Sequence, residues 1–393
     1  MRIVVLTDDR LGPAMAGSAL RAWELGRALR AAGHVVCLAA APGSEPPQAA
    51  GPNLVPRPPW RWAQALISSP WCLPPRAFLG RRLLVVDGVT PLLAELERMP
   101  DSPVVARRRR TAAARLPLVL ARADAVLVAG EAQAAWWQRR LQSRRPRVPV
   151  IEVPFGIPDE GPRPERDEVP GIPPHWAIVL WWGGVWPWLD LETLLAARAI
   201  LGSAPLSIVV PTARRPGSGS SHFSRQDLLE AMRRHGLRPP QVFPLETWIP
   251  YGERHRILNR TTLLAVLHHA GEETDLSFRT RAMDGVWAGV PLFVSEGGEV
   301  ARLVRTYSWG GVVPVGDAQA TAAALEIMLS ERQQLRCRAN LATTREEWTW
   351  SQVAAPLLED LPGLPVVARG PLAGAAVRAA LALLGHPRPE DRR

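Results

Sequence analysis

Residues 2–41 read RIVVLTDDRLGPAMAGSALRAWELGRALRAAGHVVCLAAA. A short β-rich apolar run, RIVVLT (Arg2 to Thr7), leads through a glycine-containing loop to an amphipathic stretch, Ala16 to Gly33. That stretch stops on Gly33, a common helix terminator. A second apolar run, HVVCLAAA (His34 to Ala41), follows it. Strand, helix and strand in this order imply a parallel pair with a helical crossover. The same signal recurs at RLLVVD (Arg82 to Asp87), ADAVLVAG (Ala123 to Gly130) and VPVIEVP (Val148 to Pro154). The first part of the chain is therefore expected to form a parallel sheet with helices on both faces.

A Pro-rich polar stretch, FGIPDEGPRPERDEVPGIPPH (Phe155 to His175), has the composition of an interdomain linker. Beyond it the alternation restarts, with strands expected at Ala177 to Trp182, Leu206 to Pro211, Thr262 to His269, Pro291 to Ser295 and Gly310 to Val315. The fold class read from this is α/β, with two doubly wound domains in tandem. Ligands of such sheets bind beyond the carboxyl ends of the strands, so the expected site is a central cleft between the domains. The segment Glu346 to Leu361 reads as a final helix. Within the Ala-, Pro- and Arg-rich tail, Pro371 to Gly385 reads as a helix that packs on the surface or touches membrane.

Composition narrows the chemistry. The chain has 393 residues and 47% apolar content, enough for two cores of ordinary size. It contains no lysine; all 47 basic residues are arginine, and the formal net charge is +10. A Walker-type phosphate loop and Schiff-base catalysis both need a lysine, so both are excluded. The positive balance favours anionic partners. Nucleic acid is not expected, because no zinc-finger spacing or aromatic-basic RNA-binding pattern is present. Cys37, Cys72 and Cys337 lie far apart and give neither a disulfide framework nor a metal spacing. No uncharged apolar run approaches the ~18 residues of a membrane span. The acidic pair Asp8–Asp9 comes too early for a secretory signal. A cytoplasmic location follows. Four consecutive arginines, Arg107 to Arg110, read either as a solvated loop or as contact with an acidic lipid surface.

With these motifs in order, the chain from Arg2 to Leu361 resembles the family-4 glycosyltransferases. The resemblance rests on LTDDRLGPAMAGSALRAWELGRALRAAGHVV in the first half. In the second it rests on VPFGIPDE, LWWGGVWPWLDLETLLAA, WIPYGERHRIL, SFRTRAMDGVWAGVPLFVSEGGEVARLV and WGGVVPVGD. It implies the GT-B fold of two Rossmann-like domains: an acceptor-side domain at 1–158, a nucleotide-sugar domain at 159–345, a helix at 346–362 crossing back to the first domain, and a tail at 363–393. It also implies sugar transfer from a nucleotide-sugar to a sugar or lipid-linked acceptor, usually with retention, in glycan, polysaccharide or glycolipid synthesis. Neither a cofactor nor a metal is expected. Peripheral contact with the inner, acidic membrane face is compatible with it.

The sequence departs from the family pattern twice. The family signature places two Glu residues, with seven residues between them, before the GVP turn. Here Asp284 holds the second position and Leu276 the first; Glu272, Glu273 and Asp275 lie close by as candidates for the absent carboxylate, with Glu273 the one expected. The family also grips the donor diphosphate with an Arg and a Lys after the first strand of the second domain, where WWGGVWPWLD carries neither. Arg279 and Arg281, at the start of the following helix, offer a replacement. Cations are disfavoured at a helix N-terminus unless an anion joins them there. The plain alternative is that both arginines pair with the upstream acids, and that Asp284 pairs with Arg281 three residues away.

The expected catalytic group is therefore Arg279, Arg281 and Glu273. Gly183, Gly184, Asp284, Gly297, Gly298 and Glu299 are expected to bind the donor, with Asp284 on the ribose. Gly12, Met15 and Gly17 lie on a loop near the donor phosphate or the acceptor. Asp190 is expected as a helix cap. His268 and His269 fall at a strand's carboxyl end, where either can be a plain core histidine.

Overall fold

A computed structural model describes residues 1–47, 50–78, 81–143, 145–213 and 223–366. The described chain divides into two compact units. One comprises Met1–Phe155, Leu276–Phe278 and the chain from Trp350; the other comprises Gly156–Asp275 and Arg279–Thr349.

The first unit holds seven strands: β1 (Arg2–Leu6), β2 (Val35–Ala39), β3 (Asn53–Val55), β4 (Ala65–Ser68), β5 (Leu83–Asp87), β6 (Ala125–Val128) and β7 (Val150–Glu152). Their order is β3-β2-β1-β4-β5-β6-β7, and every pair is parallel. The second unit holds β8 (Ala177–Trp181), β9 (Leu206–Pro211), β10 (Val242–Leu245), β11 (Leu263–Val266), β12 (Leu292–Ser295) and β13 (Gly310–Val313). These are also all parallel, in the order β10-β9-β8-β11-β12-β13. Both sheets are doubly wound. The strand order reverses between β1 and β4 in one and between β8 and β11 in the other, and these reversals are where such sheets open a crevice.

Continuous apolar runs become the central strands because both faces of a parallel sheet are covered. Val179, Leu180, Trp181, Leu263, Leu264, Ala265 and Phe293 are all fully buried. Three strands escaped the sequence reading. β4, ALIS, is central and wholly buried but only four residues long. β3 is a three-residue edge strand. β10 contains Pro244, which is tolerated because β10 is an edge. Ile208 N donates to Gln241 O and Thr212 N to Leu245 O, so the odd residues of β10 face β9 and Pro244 faces away.

Three further expectations are corrected. The Pro-rich stretch is not a free linker. Val169 and Ile172 are buried, Asp167 N donates to Arg256 O, and Asn259 Nδ2 donates to the carbonyls of Arg163 and Glu165. Alternate apolar and hydrogen-bonding groups thus lay this segment against the second unit. The four arginines do not form a loop; they lie on the helix Pro103–Arg122, capped by Ser102, whose side chain accepts from Val105 N. The final helix is not continuous. Thr349 is extended and separates a 3-10 turn, Arg345–Trp348, from the short helices Trp350–Val353 and Ala355–Asp360, the last restarting at Pro356. The proposed tail helix at 371–385 lies outside the described residues.

Candidate functional site

In the second unit the predicted residues gather at the carboxyl edge of the sheet, at the β8/β11 reversal. β8 ends on fully buried Trp181, and the chain turns at Trp182, Gly183 and Gly184, with Gly183 at φ +88°. An antiparallel bridge, Leu189↔His268, and a bond from His269 N to Trp188 O (3.0 Å) tie this loop to the end of β11. Asp190 then caps the helix Leu191–Ile200 by accepting from Thr193 N at 3.0 Å and Thr193 Oγ1 at 2.6 Å, as its position implies.

The two arginines have different environments. Arg279 is the N-cap residue of the helix Thr280–Ala288, which ends on left-handed Gly289 before the Val290–Pro291 turn. Its guanidinium makes a bidentate pair with Glu273, with Nη1 to Oε1 and Nη2 to Oε2 both at 2.7 Å. Both side chains are buried, and Nη2 also reaches Thr274 Oγ1 at 3.3 Å. For Arg279 the acid-pairing alternative is thus the observed geometry. Arg279 Nε is buried without a hydrogen-bond partner among the described residues.

Arg281 forms no ion pair among the described residues. It crosses to the glycine loop instead. Nη1 donates to Gly184 O at 3.0 Å, and a Cβ placed on Gly183 would meet the guanidinium carbon at 3.4 Å. Burial, reinforced by the neighbouring Arg279 charge, pushes its pKa down to about 9, so it remains a cation at neutral pH. The alternative Arg281–Asp284 pair is not found among the described residues. Asp284 Oδ1 accepts from Arg254 Nε and Oδ2 from Trp182 Nε1, both at 2.8 Å. The better partner wins because Arg254 is prearranged: its guanidinium lies 3.7 Å from the Tyr251 ring centroid and 4.0 Å from that of Trp287. A cation between aromatic faces is held in one orientation. Arg254 was missed in the sequence. Its one signal was an arginine three residues after a tyrosine in WIPYGERHRIL.

His268 is buried beside this cluster. Its backbone N–H donates to Ser295 Oγ at 2.9 Å, and its Nδ1 has no partner among the described residues. Burial and the Arg279 charge push its pKa down to about 3, so the imidazole is neutral. Thr274 Oγ1 donates to His269 O at 2.6 Å. Gly297 closes the group: a Cβ there would meet Thr274 at 3.3 Å and the His268 ring at 3.8 Å. Gly297 and Gly298 have φ +100° and +69°, a pair of left-handed residues that opens the helix Gly298–Tyr307 with its first N–H groups uncapped by any side chain. Glu299 in that first turn binds Arg302, and its carboxylate is mostly buried.

Gly12, Met15 and Gly17 belong to the first unit. They sit on the loop after β1, at the carboxyl edge next to the β1/β4 reversal. Gly12 has φ +146°, and Gly17 begins the helix Gly17–Ala31, whose Ala16 cap offers no side-chain acceptor. The carboxylate of Asp9, on the same loop, accepts from Ser18 in the first turn of that helix.

The second unit's cluster can hold an anion. Among the described residues it joins one guanidinium without an ion pair, a glycine turn and two helix N-termini at a sheet reversal. Among the described residues, no group of three or more His, Cys, Asp or Glu side chains could hold a metal ion.

The fold is GT-B. The chain superposes on sucrose-phosphate synthase from Thermosynechococcus elongatus with a TM-score of 0.63 and 16% identity, over 93% of this chain and 99% of that one. HepE of Anabaena, solved with UDP and glucose, gives a TM-score of 0.65 and 15% identity over 93% and 100%. WaaG, a glycosyltransferase involved in lipopolysaccharide biosynthesis, gives 0.63 and 14% over 91% and 99%. No family model matches the chain. No curated protein matches it either. Among the described residues, no helix is long and apolar enough to cross a membrane.

Proposed function

We propose that this protein is a family-4 glycosyltransferase that moves a sugar from a nucleotide-sugar to a sugar or lipid-linked acceptor with retention of configuration. The observation that carries the reading is Arg281, a guanidinium without a carboxylate, held over the Gly183–Gly184 turn. Bond cleavage to a departing nucleotide builds charge on its phosphates, and fixed cations and helix dipoles stabilise that charge. Arg281 thus stands where the missing family cations would act, and no metal is required in this reading. Asp284, fixed by Arg254 and Trp182, offers its remaining lone pairs to a ribose hydroxyl. HepE, of the same fold, was solved with UDP and glucose.

The test is donor binding, donor hydrolysis and transfer by the wild type and Arg281→Ala, with and without EDTA. Loss of a charge-assisted phosphate contact lowers the rate roughly tenfold to a hundredfold. Equal rates in the two proteins overturn the assignment, and loss of activity with EDTA overturns the metal-free reading. A cytoplasmic site of action, with the arginine-bearing helix Pro103–Arg122 against an acidic membrane face, is checked by sedimentation with anionic and neutral vesicles.

A second reading, nucleotide-sugar binding without turnover, has one observation in its favour. Glu273 neutralises Arg279, leaving a single unpaired guanidinium in the cluster. Donor binding with neither hydrolysis nor transfer across an acceptor screen would select it.

A further inference from the structure

At the amino edge of the first sheet, away from the loop that carries Gly12, is an open, solvent-facing cavity of about 610 Å³ lined by Pro59, Trp60, Arg61, Trp62, Arg76 and Arg82. Trp62 leads into β4, and Arg82 immediately precedes β5. Among the described residues the lining contains three arginines, two tryptophans and no acid. Both indoles are half-buried and anchored on the core of the first unit, so they are fixed walls. Arg61 and Arg76 are exposed at the rim, and the Arg82 guanidinium lies 5.9 Å from the Trp60 ring centroid.

The hydrogen-bonding character of this cavity is one-sided. Trp60 O accepts from Arg82 Nε at 2.9 Å, Trp62 O from Arg2 Nε at 2.8 Å, and Pro59 O from Trp62 N and Ala63 N. Those backbone acceptors are engaged, while guanidinium and indole groups can only donate. A ligand rich in acceptors, with a flat face for the indoles and an anionic group for the arginines, matches.

We propose that this cavity binds an anionic saccharide, with the sugar ring against Trp60 and Trp62 and its carboxylate or phosphate among Arg61, Arg76 and Arg82. The site is separate from the cluster around Arg281 and does not depend on the activity proposed for it.

The full chain is titrated with methyl glucuronide, glucose 6-phosphate, glucose, inorganic phosphate and uridine monophosphate, read by tryptophan fluorescence and calorimetry. At least one of the two anionic sugars should bind, more tightly than glucose or phosphate, and more weakly as salt rises. The double variant Arg61→Ala/Arg76→Ala, altered only at exposed side chains, should lose roughly tenfold or more in that affinity. Its thermal shift with UDP-glucose should match the wild type, which keeps this site distinct from the other. Equal binding of inorganic phosphate would mean a plain anion site, and tighter binding of uridine monophosphate a nucleotide site. Either result, unchanged affinity in the double variant, or no binding of either anionic sugar overturns the proposal.

Discussion

The guanidinium of Arg281 lies over Gly183 and donates to Gly184 O at 3.0 Å. An arginine from one helix thereby occupies the turn after β8 that carries no cation of its own. The glycine turn after β8 and the first turn of the helix Thr280–Ala288 are thereby joined in one local arrangement.

Gly183→Ala should disturb that arrangement twice. At φ +88° any side chain is strained, and the new Cβ would press on the guanidinium at 3.4 Å. A loss of about 1 kcal/mol or more is expected in chemical denaturation, together with weaker UDP-glucose binding. Binding that stays at the wild-type level would show that the position of Arg281 over this turn is unimportant to the ligand.

Glu273 and Arg279 are expected to be strongly coupled. Removing either partner leaves a buried charge unpaired, at about 3–5 kcal/mol. The double change Glu273→Gln/Arg279→Met should cost far less than the sum of the two singles. A double-mutant cycle in urea measures this, and additive effects would contradict the bidentate geometry.

His268 gives the protein a sensitivity to acid. Its pKa is about 3 when folded against an ordinary 6.5. The unfolded chain therefore takes up this proton first as pH falls. Stability present above pH 6.5 declines toward pH 3, by at most about 1.4 kcal/mol per pH unit from this group. Denaturation at pH 5, 6 and 7 should show a steeper decline in the wild type than in His268→Gln; parallel curves would remove the effect from His268.

Arg254→Lys should fail as a conservative change. A lysine keeps the charge but loses both the stacking between Tyr251 and Trp287 and the planar fork toward Asp284. A destabilisation of about 1–3 kcal/mol is expected, accompanied by a change in Trp287 fluorescence. Thermal melts of Arg254→Lys and Arg254→Met check it, and wild-type stability in the lysine variant would argue that charge alone suffices.

The alternation of apolar runs with amphipathic stretches was enough to read two parallel, doubly wound sheets. What escaped was short or was settled by packing. ALIS has too few residues to show a period, although β4 sits at the centre of its sheet. PRPERDEVPGIPP has linker composition, yet Val169 and Ile172 find an apolar surface that no local rule describes. The four arginines have the charge of a solvated loop, yet the Ser102 cap and the apolar positions that follow carry them on a helix. At the site, the closeness of Glu273 and Arg279 in the sequence made their pairing legible. The partner of Asp284 was not legible, because Arg254 is thirty residues away and is oriented by aromatic rings of two different elements.

The outward position of Pro244 bears on how the molecule behaves in crowded solution. A sheet ends in a row of unused N–H and C=O groups that can recruit a strand from another molecule. On β10 that row lacks the donor of residue 244. At the far side of the sheet β13 is only four residues long, and the edges of the first sheet, β3 and β7, are three each. Each rim is too short or too interrupted to template an added strand. Self-association by sheet extension is disfavoured at each of these edges, which suits a chain whose two sheets are otherwise rich in valine, leucine and isoleucine.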